Sequence, residues 1–285
     1  MEHISSPSQI KEIMQRHGLI FHKGLGQNFL FDANYLNQIV ESADITNADT
    51  VLEIGPGLGV LTTRLAERAK KVIAVEIDQN IVPVLKDITS DYDNIEIINR
   101  DILKTNLLEI LPENEKVKVV ANLPYYITSP IIMKLLTEGE SLISAIVIMI
   151  QKEVAERITA KPATKEYGAL SVAVTFYANA EKRLIVPAGA FIPAPKVDSA
   201  VLRLNIPETK KYAPKNEKVF FKTVKSAFGQ RRKTLANALS SGFPNFTKDE
   251  IRKKITALGL KETCRGETLS IEEFVRLSDS LCEEK

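Results

Sequence analysis

Short runs of apolar residues recur through the first two thirds of the chain, and several of them end in an acidic or amide residue. Runs of this length that are rich in Val and Ile are typical of strands buried on both faces of a parallel sheet. The predicted strands, in chain order, are residues 51–54, 71–78, 95–101, 116–121, 144–150 and 200–204.

Helical periodicity fills most of the segments between these runs. Apolar positions return every three or four residues over 8–16, 32–41, 60–68, 81–88, 129–138 and 152–160. Asp32 has a side chain suited to an N-cap. Strands that alternate with helices predict an α/β, Rossmann-like fold, a mostly parallel sheet with helices on both faces. Residues 171–178 fit either a helix or a strand.

The chain changes character near residue 206, where Pro, Lys and Glu replace the apolar runs. We predict a larger α/β domain over residues 1–205, with residues 1–30 as an N-terminal lid, and a small all-α domain over residues 206–285. The smaller domain has 17 Lys and Arg against 11 Asp and Glu, a net charge of +6, and the rest of the chain has −4. A basic domain is typical of proteins that bind a polyanion, although a solvated basic helical surface explains the charge equally well.

Composition excludes several classes of protein. The 285 residues contain no apolar run of about 18 that would span a membrane, and the first residues lack the apolar core of a secretory signal, so we expect a cytoplasmic protein. Two cysteines are too few for a disulfide framework or a zinc site. All three histidines lie within the first 22 residues, so chemistry further along uses no histidine base. We expect a monomer without a metal.

A glycine loop follows the first predicted strand and opens a helix. Its sequence, Glu-Ile-Gly-Pro-Gly-Leu-Gly at 53–59, allows a ligand to lie against the backbone, because glycine has no side chain to obstruct it. The spacing suits a nucleotide-like cofactor but differs from the dinucleotide Gly-x-Gly-x-x-Gly pattern. Taken alone, the loop also fits a strand-to-helix turn that binds nothing.

Acidic residues end the next two predicted strands. Glu76 lies about 20 residues beyond the first glycine, where nucleotide-binding units place a carboxylate on the ribose hydroxyls. Asp101 ends the third strand. Because ligands of open α/β sheets bind beyond the carboxyl ends of the strands, we expect Glu53, Glu76 and Asp101 to converge there. An acid beside an adenine would accept a hydrogen bond from its exocyclic amine.

The fourth predicted strand runs into Asn-Leu-Pro-Tyr at 122–125. The Asn122 side-chain oxygen and a backbone carbonyl of the turn can accept both protons of an amino group, and the Tyr125 ring can stack on the base that bears it. A proline turn after an apolar run is often only a turn. Its position behind a cofactor loop favours the functional interpretation.

Together these segments resemble the ribosomal RNA adenine N6-dimethyltransferase family from about residue 24 to 239. The resemblance rests on Gly-Gln-Asn-Phe-Leu (26–30), the glycine loop, Glu76, Asp101, Asn-Leu-Pro-Tyr and Phe-Ile-Pro-Ala-Pro-Lys-Val-Asp-Ser (191–199). It implies a class I methyltransferase that binds S-adenosylmethionine in residues 1–205. The residues that match the family's cofactor contacts are Asn28, Leu30, Gly55, Glu76, Asp101 and Asn122. We predict the same role for Gln27, Glu53, Gly57, Ile77 and Ile102.

The resemblance also implies dimethylation of two adjacent adenosines of small-subunit (16S) rRNA, within ribosome biogenesis. We predict that Asn122, Leu123, Pro124 and Tyr125 form the catalytic turn, which positions the amine without a strong general base. The predicted RNA contacts are Lys23, Phe191, Lys222, Lys225, Arg231, Arg232 and Lys233. Leu123, and residues 228–235, look more like the small-subunit branch than like the erythromycin-resistance methylases.

Three alternatives stay open at the level of sequence. The first is the same chemistry on large-subunit rRNA, as in the erythromycin-resistance type. The second is a non-catalytic RNA-binding assembly or transcription factor on the same fold, which would have no need of the intact loop and turn. The third is a nicotinamide dehydrogenase, which the glycine spacing and the lack of a proton-relay histidine disfavour.

Overall fold

The computed structural model describes residues 4–20 and 26–282. Packing divides the chain into two compact units. One comprises the described residues of Met1–Ala155 and Asn179–Ile206, and the other those of Glu156–Ala178 and Pro207–Lys285. The division differs from the predicted boundary at 205/206, because residues 156–178 belong with the C-terminal helices.

The first unit is built on a twisted sheet whose strands lie in the order β4-β3-β2-β5-β6-β9-β7. These strands are β2 (Thr50–Ile54), β3 (Lys71–Glu76), β4 (Ile95–Asn99), β5 (Val117–Asn122), β6 (Ile143–Gln151), β7 (Asn179–Val186) and β9 (Ser199–Asn205). From β4 to β6 the neighbours run parallel, and β9 pairs antiparallel with both β6 and β7. The α/β fold predicted from the apolar runs is confirmed, and the central β2 is buried along its whole length.

Strand β7 was not predicted, and its exposure pattern explains why. Along Asn179–Val186 most side chains are exposed or partly exposed, and only Val186 is buried. An edge strand needs no apolar run, since one long side of it lies against solvent, and charged residues there discourage pairing with other chains. Hydrophobic patterning therefore carries little signal for this strand.

Helices of the first unit follow the predicted periodicity closely. They are α1 (Pro7–Arg16), α2 (Ala33–Ser42), α3 (Val60–Ala66), α4 (Val82–Ile88) and α6 (Thr128–Glu138). The short α5 (Leu107–Ile110) was not predicted. Helix α7 (Lys152–Ile158) begins directly after β6 and crosses the division of the chain after Ala155. Asp32 caps α2 as predicted, since its carboxylate accepts hydrogen bonds from the amides of Asn34 and Tyr35. No helix within residues 4–20 and 26–282 has the length and apolar character needed to cross a bilayer.

A second, two-stranded sheet joins the N-terminal segment to a loop far along the chain. Strand β1 (Phe29–Leu30) pairs antiparallel with β8 (Phe191–Ile192). All but Ile192 of these four side chains are buried. This pairing fixes the position of residues 29 and 30 relative to residues 191 and 192.

The second unit is helical. It contains α8 (Ala169–Tyr177), α9 (Glu217–Gly229), α10 (Leu235–Gly242), α11 (Lys248–Ala257) and α12 (Ile271–Ser280). Residues 171–178, which the sequence left ambiguous, lie almost entirely in α8. Phe176 of α8 stacks on Phe220 of α9 at 4.8 Å between ring centroids, so aromatic packing holds 169–177 against the C-terminal helices.

Candidate active site

A cavity opens at the carboxyl ends of β2, β3, β4 and β5 in the first unit. Each residue predicted to bind the cofactor lines it, and so does the whole Asn-Leu-Pro-Tyr turn. These residues come from segments 26–30, 53–57, 76–77, 101–102 and 122–125. They meet because parallel strands bring their carboxyl ends to one edge of the sheet.

The glycine loop passes close beneath the ring of Phe29. A Cβ atom on Gly57 would lie 2.8 Å from a ring carbon of Phe29, and the φ angle of Gly57 is +57°, a conformation that strains other residues. The backbone amide of Gly57 donates to Glu76 Oε2 at 3.1 Å. The loop is thus bound on one side to β3 and on the other to β1.

Glu76 ends β3 with a buried carboxylate. Its second oxygen, Oε1, accepts from the amide of Asp78 at 2.9 Å. Burial raises the pKa of Glu76 above its usual value, although the hydrogen bonds from Asp78 and Gly57 oppose that shift. Two backbone amides therefore hold the carboxylate in one orientation at the cavity.

Asp101 follows β4, and its Oδ1 accepts from the amide of Leu103 at 3.0 Å. Two isoleucines that line the cavity accompany these acids: Ile77 is 49% exposed, and Ile102 is buried. An acid beside apolar side chains is a suitable site for a flat heterocycle that has an amino group.

Glu53 is the most deeply buried acid of the cavity, at 1% exposure. Its Oε2 has no hydrogen-bond partner among the described residues. Burial raises the pKa of Glu53 to about 8; the nearby Thr62 hydroxyl opposes this shift, and the nearby Glu76 adds to it. A buried oxygen without a partner is costly unless a ligand supplies a donor.

Residues 26–28 cross the cavity from the end of β3 to the end of β5. Gln27 Nε2 donates to Asp78 Oδ2 at 2.9 Å. Asn122 Nδ2 donates to the carbonyl of Asn28 at 3.2 Å, and Asn28 Nδ2 donates to the carbonyl of Gly26 at 3.0 Å. Because its Nδ2 is bonded to Asn28, the amide of Asn122 is oriented with Oδ1 available as an acceptor.

The turn after Asn122 is anchored from two directions. The amide of Leu123 donates to the carbonyl of Met149 on β6 at 3.1 Å. The Tyr125 hydroxyl and Ser199 Oγ are 2.7 Å apart, and Ser199 is fully buried at the start of β9. Burial raises the pKa of Tyr125, so the phenol stays protonated.

Sequence reasoning missed Asp78, Tyr126 and Ser199 as site residues. Ser199 lies inside the motif at 191–199, yet only the pairing of β9 with β6 brings it beside Tyr125. Asp78 stands two residues beyond Glu76, at the end of the predicted strand, and this position could have identified it as a residue near the cavity.

The predicted RNA contacts fall into three groups. Lys23 lies outside the described residues. Phe191 is buried, at 4% exposure in the hydrophobic core, and its contact with RNA stays a prediction. The other five predicted contacts are exposed and lie in the second unit: Lys222, Lys225, Arg231, Arg232 and Lys233.

Two of those cations also contact neighbours within the second unit. Arg231 Nη2 donates to the carbonyls of Lys165 and Tyr167, at 2.8 and 3.2 Å. Lys222 Nζ lies 4.6 Å from the centroid of the Phe243 ring.

Within residues 4–20 and 26–282, no three His, Cys, Asp or Glu side chains cluster as metal ligands would.

Comparisons with known proteins agree with this geometry. Residues 18–282 match the family model described as ribosomal RNA adenine dimethylase. The chain is 50% identical to the ribosomal RNA small subunit methyltransferase A of Alkaliphilus oremlandii over 99% of each chain. It is also 50% identical to the protein of that name from Clostridioides difficile, over 98% of this chain and 97% of the other.

Solved structures give the same fold. A dimethyladenosine transferase from Plasmodium falciparum aligns with a TM-score of 0.74 and 29% identity, over 86% of this chain and 94% of that one. The 23S rRNA methyltransferase ErmE aligns with a TM-score of 0.68 and 28% identity, over 89% and 99%. The sheet is therefore that of a class I methyltransferase, and the chain belongs to the ribosomal RNA adenine dimethylase family.

Proposed function

We propose that the protein uses S-adenosylmethionine to dimethylate the N6 amino groups of two adjacent adenosines near the 3′ end of small-subunit (16S) rRNA. One observation carries the proposal: Glu53 of β2, Glu76 of β3 and Asp101 after β4 line the same cavity as the Asn122 amide, which is oriented by its hydrogen bond to the carbonyl of Asn28. The small-subunit relatives, at 50% identity over nearly the whole chain, support the choice of RNA.

The cavity residues fit this cofactor. Glu76 and Asp101 would hold the ribose hydroxyls and the adenine amine, and Ile77 and Ile102 would flank the ring. The buried oxygen of Glu53 without a partner suits the amino group of the cofactor, whose positive charge would favour the ionised form of this carboxyl. When bound, S-adenosylmethionine would supply an activated methyl group on a sulfonium, whose neutral thioether would be the leaving group, and solvent would take the proton that the amine loses.

The chain's own residues position the adenine. Asn122 Oδ1 and a carbonyl of the turn accept hydrogen bonds from the N6 amino group, which directs the nitrogen lone pair toward the cofactor side of the cavity. Tyr125, fixed through its hydroxyl by Ser199, stacks on the extruded base. Positioning provides most of the acceleration, since a sulfonium is already a good leaving group and no strong base is needed.

The central test replaces the amide. Asn122→Ala removes the acceptor for the N6 proton, so methyl transfer should fall at least about 100-fold while RNA affinity stays within about twofold. Transfer is measured with radiolabelled cofactor on unmethylated small subunits, and RNA affinity by filter binding. Equal loss of transfer and of RNA binding would contradict the assigned role.

The substrate is tested on the unaltered protein with small subunits, large subunits and naked rRNA. We expect label on small subunits, recovered by nucleoside mass spectrometry as N6,N6-dimethyladenosine. Label on large-subunit RNA alone would place the protein with the 23S methylases, of which ErmE is structurally similar. Subunit binding without label would favour a non-catalytic assembly factor.

A further inference from the structure

Tyr126 is an exposed aromatic residue at the mouth of the cavity. It lines the cavity beside Tyr125, in the short 3-10 turn Tyr125–Ile127, and 57% of its surface is accessible. Burying a tyrosine ring is favourable, so a ring left open beside a binding cavity is available for a partner.

The ring has a restricted position. A Cβ atom built on Gly26 would lie 3.4 and 3.5 Å from Cδ1 and Cε1 of Tyr126, and 3.6 Å from Cβ of Pro124. The backbone of Gly26 therefore packs against the tyrosine and against the proline that begins the turn. A ring that is already ordered loses little conformational entropy when a ligand stacks on it.

Tyr126 differs from Tyr125 in its hydrogen bonding and in its exposure to solvent. Tyr125 is tied by its hydroxyl to the buried Ser199. The Tyr126 hydroxyl has no hydrogen bond among the described residues, and its ring extends to solvent. The first tyrosine is built into the cavity and the second borders the opening.

We infer that Tyr126 is a stacking platform for the nucleobase next to the adenosine held in the cavity, and so helps to select the RNA. This inference rests on the proposed function. When one base is drawn out of its stack, its neighbour loses a stacking partner, and an aromatic side chain at the opening replaces that partner. Because adenine has the larger stacking surface of a purine, two adjacent adenosines suit this platform better than an adenosine beside a pyrimidine.

The inference separates RNA binding from cofactor binding. Stacking of one base on an aromatic side chain is worth about 1–3 kcal/mol. Tyr126→Ala should therefore raise the KM for small subunits about tenfold, and Tyr126→Phe should leave it within about twofold. Cofactor affinity, measured by calorimetry, should change less than about twofold in both variants.

A fluorescence experiment measures the stacking directly. A single-stranded RNA with 2-aminopurine beside the target adenosine should show quenched fluorescence with the unaltered protein and with Tyr126→Phe, but not with Tyr126→Ala. Leu108→Ala is the matched control, because it removes another exposed large side chain (64% exposed) that does not line the cavity; it should change neither quantity.

Two results would overturn the inference. One is a Tyr126→Ala variant with unaltered KM and unaltered quenching. The other is a variant that loses cofactor affinity instead, which would assign Tyr126 to holding residues 26–28 in place. The fluorescence comparison is valid whether or not methyl transfer occurs, so a failure of the proposed function, seen as no label with the unaltered protein, is a separate result.

Discussion

At the scale of single residues, the hydrogen bond between Tyr125 and Ser199 places the aromatic ring of the proposed catalytic turn. Ser199 is fully buried, so its hydroxyl has no access to water if the tyrosine is lost. A hydrogen bond of this kind is worth about 1 kcal/mol. The geometry of the Asn-Leu-Pro-Tyr turn thus depends on a residue more than seventy positions away in the chain.

Ser199→Ala and Tyr125→Phe should each lower the single-turnover rate about fivefold, because each leaves the ring free to tilt. Both changes remove the same bond, so the double variant should be no slower than the worse single variant. Rapid-quench measurement with saturating cofactor checks this. Additive losses would show that the two side chains act independently.

Glu53 makes stability depend on pH. Its pKa is raised to about 8 in the folded protein against about 4.3 in an unfolded chain. Below the lower value Glu53 is protonated in both the folded and the unfolded protein, and the stability associated with its protonated form is fully present. Between the two values only the unfolded state loses its proton, so stability falls as pH rises, and the loss is complete above pH 8.

Glu53→Gln should therefore flatten this dependence. The unfolding free energy of the variant minus that of the unaltered protein should rise by on the order of 4 kcal/mol from pH 4 to pH 9, because only the unaltered protein loses stability through this group. Urea unfolding at several pH values measures it, with Glu96→Gln as a control, since Glu96 is a surface acid paired with Lys71. Parallel curves for Glu53→Gln and the unaltered protein would contradict the assignment.

At the scale of elements, the glycine loop and the short β1–β8 sheet depend on each other. Phe29 of β1 lies over Gly57, with no room for a side chain between them. The glycine loop, which lines the cavity, therefore takes its shape from residues at both ends of the first unit.

Gly57→Ala should lower the unfolding free energy by about 2–4 kcal/mol, from strain at positive φ and from the contact with Phe29, and should weaken cofactor binding at least tenfold. Gly18→Ala separates the two causes, because Gly18 also has a positive φ (+64°) but nothing within 4 Å of an added Cβ. Equal destabilisation by both changes would mean that the contact with Phe29 is unimportant.

At the scale of the whole molecule, charge is divided unevenly along the chain. Residues 206–285 carry a net charge of +6, and the rest carries −4. Lys225, Arg232 and Lys233 are exposed in the helical unit, and no ion pair or hydrogen bond from their side chains to another described residue is seen. Cations of this kind bind phosphates and release counterions.

Replacing Lys225, Arg232 and Lys233 together with Gln should weaken subunit binding and reduce the slope of log K against log salt by about 2–3. The rate at saturating RNA should stay within about twofold, because no cavity residue is altered. Arg252→Gln is the control, since its guanidinium is paired with Asp249 and Glu262. An unchanged salt slope would remove these residues from the RNA contact.

Much of the candidate site could be predicted because its residues follow strand ends. Glu53, Glu76, Asp101 and Asn122 each end or follow an apolar run, and parallel strands with helical crossovers bring such ends together. Strand β7 and the membership of residues 156–178 could not be predicted in this way. An edge strand has no apolar run, and which unit a helix joins depends on the rings it meets, such as Phe220 against Phe176.

The amino-acid sequence by itself determined the parallel core of the sheet, the glycine loop and the types of side chain that line the cavity, because periodicity and strand-end residues are local properties of the chain. Tertiary structure alone decided that Phe191 is buried, that Ser199 holds Tyr125, and that Asn28 orients Asn122. Those contacts join residues about 70 to 160 positions apart. Their geometry depends on strand pairing and packing across the whole unit, which no local pattern contains.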